Sequence, residues 1–240
     1  MRDLSLGTIL WSALIAGVLA GLAAATFHFL ATEPVIDHAI ALETLHRQVE
    51  GTYQEPMVSR ELQKVGLFVG FLIYGFTWSL LFGAVFHVTQ RWLPGTSPLK
   101  RGAFLAGAAL WSVALYPFLK YPANPPGVGE PDTITYRQTL YLVVLGMSVL
   151  GTALAIAIAR SRNRGWRQGA AFLAVYAVAV YFLLPSNPDA IQTPTDILWR
   201  FRGLSALGLA VFWAALGVTF GLLLQRHDAR VALRARPSVV

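Results

Sequence analysis

The stretch "PANPPGVGEPDTI", residues 122–134, decides how this chain is read. It separates two long apolar runs with four prolines, two glycines and two acids. At residues 185–197 the chain reads "PSNPDAIQTPTDI". With an offset of 63 residues and no gap, Pro122, Asn124, Pro125, Pro131 and Ile134 recur as Pro185, Asn187, Pro188, Pro194 and Ile197. The same register pairs Arg137 with Arg200, and Arg101-Gly102 with Arg164-Gly165. Turn chemistry explains part of this, since a residue before proline is driven out of the helical region. Asp132 or Thr133, and Asp196, are candidate helix caps. A whole pattern recurring in register points further, to an internal two-helix repeat over residues 101–163 and 164–226. Parallel repeats of this kind recur in transporters, with a binding site at the repeat interface.

The composition says where such a chain lives. Of 240 residues, 55% are hydrophobic and 13% charged, and the mean hydropathy is +0.55. A soluble domain carries about a quarter charged residues. Apolar runs of about 20 residues, the length that crosses a bilayer as helix, recur along the sequence. The expected fold is therefore an all-α integral membrane bundle in a single transmembrane domain. Six spans are expected, near residues 6–31, 65–88, 102–119, 138–159, 168–184 and 203–224. The fifth is the shortest, which leaves a five-span arrangement with one interfacial segment as the alternative. The first run is too long for a cleaved signal core, and only Arg2, offset by Asp3, precedes it.

Charge placement supports an even number of spans. Arg2, Arg91, Lys100, Arg101, Arg160, Arg162, Arg164, Arg167, Arg226, Arg230, Arg234 and Arg236 fall in alternate connections with only Asp3 and Asp228. These are twelve of the nineteen basic residues, and the other connections hold ten of the twelve acids. Basic residues stay on the cytoplasmic side, so both termini are expected there. The net charge of +7 then reflects topology rather than nucleic acid, for which interleaved basic and stacking residues are lacking. Trp92 and Trp166 fall at expected inner boundaries, and Tyr53, Tyr121, Tyr136 and Trp199 near outer ones. Gly17 with Gly21, Gly66 with Gly70, and Gly217 with Gly221 have the four-residue spacing of close helix packing.

The first outer connection, residues 32–64, is long and acidic. Glu33 and Asp37, and His46 and Glu50, are four apart, and Glu43 and His46 three apart. On a helix such pairs share a face. Nitrogen and oxygen ligands without thiolate suit divalent ions such as cobalt, nickel, manganese or zinc, and the chain has no cysteine. The plain alternative is a solvated helix held by pairs such as Glu43 with Arg47. His28 lies inside the first apolar run, where an ionisable side chain is expensive and often functional, or else hydrogen-bonded to a neighbouring helix. His87, near the opposite boundary, cannot share an ion with His28. His38, Glu130 and Asp132 complete the candidate metal ligands. Asn124, Asn187, Asp189 and Asp196 belong to the loops expected to form an outer vestibule. No phosphate-binding loop, H-E-x-x-H pair or G-x-S-x-G elbow occurs, so neither catalysis nor a bound cofactor is expected.

"KYPANPPGVGEPDTITYRQTLYL", with "ATEPVIDHAIALE" after the first span, resembles the CbtA family of predicted cobalt transporter subunits. The likeness runs from the first span to the sixth. The second half of the repeat departs from it, lacking the Pro-Gly-Val-Gly core. The resemblance implies a bacterial inner-membrane protein taking part in cobalt import for cobalamin synthesis. It also implies a partner, a small single-span protein with a histidine-bearing tail (CbtB-like). It carries no ligand assignment. The alternatives are a non-transporting assembly or regulatory subunit, and a carrier for an organic solute.

Overall fold

The computed structural model describes residues 4–126, 128–162, 165–189, 191 and 193–234. Arg2, Asp3, Arg164 and Arg236, used above in the charge pattern, lie outside them. The chain is 82% helix, with no strand among the described residues. Its helices are α1 (Leu6–Phe27), α2 (Glu33–Val49), α3 (Arg60–Thr89), α4 (Pro98–Ala109), α5 (Tyr116–Lys120), α6 (Ile134–Arg160), α7 (Trp166–Leu183) and α8 (Thr195–Arg234). Among the described residues, six helical stretches are long and apolar enough to cross a membrane. The shortest is α7, whose 18 residues reach about 27 Å at 1.5 Å per residue.

Two of these stretches are interrupted without being broken. Between α1 and α2 the backbone widens into a π-helical turn at His28–Thr32, and between α4 and α5 into another at Leu110–Leu115. Each turn is followed two residues later by a proline, Pro34 or Pro117. A proline inside a helix has no N–H to donate, and its ring presses on the carbonyl four residues back. Those positions are Leu30 and Val113, inside the widened turns. Local widening accommodates the ring while the helix continues. The sequence reading ended the first span near residue 31 and began a connection there. Instead the helix runs on through α2 to Val49, so the first half of that connection is helical.

The chain divides into two compact units. One gathers α1, α3, most of α4 and α8 from Gly208 onward. Here α1 lies along α3 so closely that a Cβ at Gly17 would collide with the Gly75 carbonyl and Ser79, and one at Gly21 with the Phe71 carbonyl. A ladder of rings joins α3 to α8: Tyr74 meets Phe212 at 4.8 Å, Trp78 meets Trp213 at 5.5 Å and Phe82 meets Phe220 at 5.1 Å between centroids. All three are edge-to-face contacts, the arrangement favoured by ring quadrupoles. Gly217 and Gly221 receive α4, at Ala106 and Leu99. Gly66 and Gly70 behave differently, with nothing within 4 Å of either. Spacing alone identified two packing pairs correctly and misread the third.

The other unit comprises Ala31–Glu55 and Ala108–Leu207. It has two clusters. Tyr116, Val144 and Val180 are buried together with Trp111, Met147 and Tyr176 around them. Val35 and Ala39 of α2 are buried against Ile197, with Phe201 and Leu204 alongside.

Gly17→Ala should therefore cost about 1–3 kcal/mol through overpacking, whereas Gly70→Ala should change stability by no more than about 0.5 kcal/mol. Thermal unfolding of the two detergent-solubilised variants separates these outcomes.

Candidate functional site

The two proline-rich connections belong to the second unit and are bonded to each other. Their centre is Asp189, whose side chain is 1% exposed. A buried carboxylate must be paired and hydrogen-bonded, and this one is. Arg137 Nε stands 2.9 Å from Oδ2. Thr133 Oγ1 donates to Oδ1 at 2.7 Å, and the Glu130 N–H donates to Oδ2 at 3.3 Å. Arg137 also donates through Nη2 to the Glu130 carbonyl at 3.2 Å. Gly129 makes room for that guanidinium: its φ is +114°, and a Cβ there would press on Arg137. A side chain at this position is disfavoured by backbone and by space together.

The exchange is reciprocal. Asp189 of the second connection holds Arg137 of α6, and Asn124 of the first accepts from Arg202 Nη2 of α8 at 2.8 Å. Asn187 Oδ1 accepts from the Asp189 N–H at 3.1 Å, closing a turn on itself. Lys120 and Tyr121, at the end of α5, add two further ties. Lys120 Nζ donates to the Tyr181 and Leu184 carbonyls at 2.8 and 2.7 Å, where a cation suits the exposed carbonyls of a helix C-terminus. Tyr121 donates to the Pro185 carbonyl at 2.8 Å. Burial, with the Tyr136 phenol adding to it, raises Tyr121 above its ordinary pKa, so it keeps the proton that it donates.

The remaining candidates are distributed as follows. Glu130 and Asp132 are exposed beside the 3-10 turn Pro131–Thr133 that leads into α6. Thr133 occupies the cap position of α6 without capping it, because its hydroxyl is committed to Asp189, and Asp132 does not cap it either. Asp196 is exposed in the first turn of α8, where a negative charge complements the helix dipole. On α2, Glu33 is buried at 6% exposure, Asp37 one turn on is half-buried, and His38 is exposed. Farther along, Glu43 pairs with Arg47 at 2.7 Å and His46 lies 3.1 Å from Glu50, all in the manner of a solvated helix.

His28 and His87 fall in the first unit. His28 opens the π turn, stacked on Phe71 at 5.0 Å between centroids, with its ring occupying the space that the missing Cβ of Gly208 leaves free. His87 lies near the end of α3, and its Nδ1 is buried with no partner among the described residues. No group of three or more His, Asp or Glu side chains among the described residues converges on one ion position.

The family model for the probable cobalt transporter subunit, CbtA, matches residues 6–225. The chain belongs to the CbtA family. No curated protein and no solved structure matches it. With six apolar helices among the described residues, it is a multi-pass membrane protein of a family described as a probable cobalt transporter subunit. Within this CbtA chain, the residues that sequence reasoning overlooked are Lys120 and Arg202. Lys120 had a visible signal, a lone cation ending an apolar run. Arg202 had none, because its partner Asn124 lies 78 residues away.

Asp189→Ala leaves Arg137 without its counter-charge and should destabilise the chain by about 3 kcal/mol, at the low end for a buried pair because Arg137 keeps some access to solvent. Asp132→Ala should not lower the unfolding midpoint measurably. Parallel thermal melts of the two purified variants check this.

Proposed function

We propose that the chain is the membrane subunit of a divalent-metal importer whose cargo is cobalt, supplying cobalamin synthesis. The family match over residues 6–225 carries this reading. The distribution of acids supports it: Glu130 and Asp132 are exposed at the first proline-rich connection, and Glu33 and Asp37 share one face of α2. In the proposed mechanism the exposed carboxylates concentrate a hydrated cation, and Glu33, Asp37 and His38 exchange its water for oxygen and nitrogen ligands. His28 is a separate candidate, in the other unit. The loops with Asn124, Asn187, Asp189 and Asp196 frame the entrance, and Glu43, His46, Glu50 and His87 are secondary candidates.

Both termini are proposed to be cytoplasmic in a bacterial inner membrane, with residues 101–163 and 164–226 descended from one duplicated unit. The proposed partner is a small single-span protein with a histidine-bearing tail. Membrane potential is a sufficient energy source in principle, worth about 2.3 kcal/mol per charge per 100 mV, hence about 4.6 kcal/mol for a divalent ion. A non-transporting assembly or regulatory subunit is the second reading. It is favoured by one observation, that Asn124, Asn187 and Asp189 are all committed to bracing.

Glu33→Gln and Asp132→Asn should each lower the initial rate of labelled-cobalt uptake by at least about tenfold, a loss of about 1.4 kcal/mol, with unchanged abundance in the membrane. Uptake at the unmodified rate in both variants would remove these carboxylates from the pathway.

A further inference from the structure

A cleft of about 260 Å³ lies behind the proline-rich connections, lined by Tyr121, Asn124, Arg137, Leu140, Tyr141 and Asn187 among others. Its polar groups were expected to serve a cation, and their bonding argues for the opposite charge. Each asparagine has already committed its amide oxygen, Asn124 to Arg202 and Asn187 to the Asp189 N–H. What each amide retains in full is its NH₂, a donor, beside one remaining lone pair of the oxygen. Arg137 uses Nε on Asp189 and Nη2 on the Glu130 carbonyl, while Nη1 has no partner among the described residues. Tyr121 donates its hydroxyl hydrogen to the Pro185 carbonyl and keeps only its oxygen as an acceptor.

The charges around the cleft point the same way. Arg137 is balanced by Asp189. Arg202, behind Asn124, meets no carboxylate among the described residues, and its Nε is buried without a partner. Lys120 is bonded to carbonyls, not to acids. Glu130 and Asp132 are exposed and do not line the cleft. A hard divalent cation requires converging oxygen acceptors, and here each asparagine oxygen already accepts one hydrogen bond while a guanidinium lies beside them. Amide N–H donors on two lining residues beside a guanidinium suit a carboxylate or phosphate instead.

We infer that this cleft is a binding site for an oxyanion, a phosphate or small carboxylate, held by Arg137 and the amide groups of Asn124 and Asn187. At about 30 Å³ per water, the volume accommodates such a group with part of its hydration. A second cleft of about 480 Å³ shares Arg137 and Tyr141 and is otherwise lined by Ile134, Gln138 and Leu142. Ile134 and Leu142 are exposed on the fourth membrane-crossing stretch. The oxyanion therefore has two sources with the same chemistry, a free ion or the phosphate of a phospholipid whose chain lies along Ile134 and Leu142.

The test uses the full chain in nanodiscs of uncharged lipid, titrated calorimetrically with inorganic phosphate, with acetate, and with a short-chain phosphatidylglycerol. Asn124→Asp and Asn187→Asp keep the side-chain shape but replace the donor with a carboxylate. Asn124→Asp can still accept from Arg202, and unfolding midpoints confirm that each variant is folded. At least one probe should bind the unmodified chain and lose at least tenfold in affinity in both variants. Binding of phosphate or acetate identifies a free ion, and binding of the lipid alone identifies the headgroup. No binding of any probe, unchanged affinity in both variants, or competition by cobalt for the same site would overturn the inference.

Discussion

A lipid interior offers no hydrogen bond to a peptide group, and that constraint organises the whole chain. Within the apolar stretches every interruption is absorbed rather than opened. Pro34 and Pro117 each follow a π-helical turn, not a break. Among the described residues the backbone leaves the helix in the connections between these stretches, and the two where prolines cluster, near residues 122–130 and 185–194, are the ones bonded to each other. There the freed groups satisfy one another. Asp189 collects a guanidinium, a hydroxyl and an N–H, and the carbonyls that end α7 receive Lys120 and Tyr121. The proline-rich segments are thus a mutually braced pair, which answers why so apolar a chain interrupts itself twice in the same way.

That brace changes the electrostatic reading of the entrance. Acids in the sequence were grouped as one cation-attracting set, but burial sorts them. Asp189 is consumed internally, whereas Glu130, Asp132 and Asp196 remain exposed. On the proposed reading, cation attraction belongs to the exposed carboxylates and to the Glu33–Asp37 face of α2, while the cleft at the loops is lined by Arg137, Asn124 and Asn187. An importer of a divalent ion can use both. Surface carboxylates raise the local cation concentration, and a separate anion site leaves that function undisturbed.

The membrane-crossing stretches were legible because hydropathy and length act locally, and bilayer thickness leaves little freedom. The four-residue glycine spacing was legible only in part. Gly17 and Gly217 face neighbours, Gly66 does not, and nothing in the spacing distinguishes them because the neighbour comes from elsewhere in the chain. Glu43 with Arg47 could be read directly, being one helical turn apart. The helical continuation through His28–Thr32 was missed because hydropathy marks where the apolar run ends, near residue 31, and not where the helix does. The brace itself was hidden. Arg137 and Asp189 are 52 residues apart in a pairing that does not follow the 63-residue register, since the register partner of Arg137 is Arg200.

Cobalt influx into liposomes containing the purified chain, alone and with the proposed histidine-tailed partner, is the most direct test of import. An inside-negative potential supplies the driving force, and nickel and manganese serve as competitors. The predicted result is saturable influx that prefers cobalt and grows with the imposed potential. Absence of influx in both preparations, with the chain inserted and folded, would contradict a role in carrying the ion.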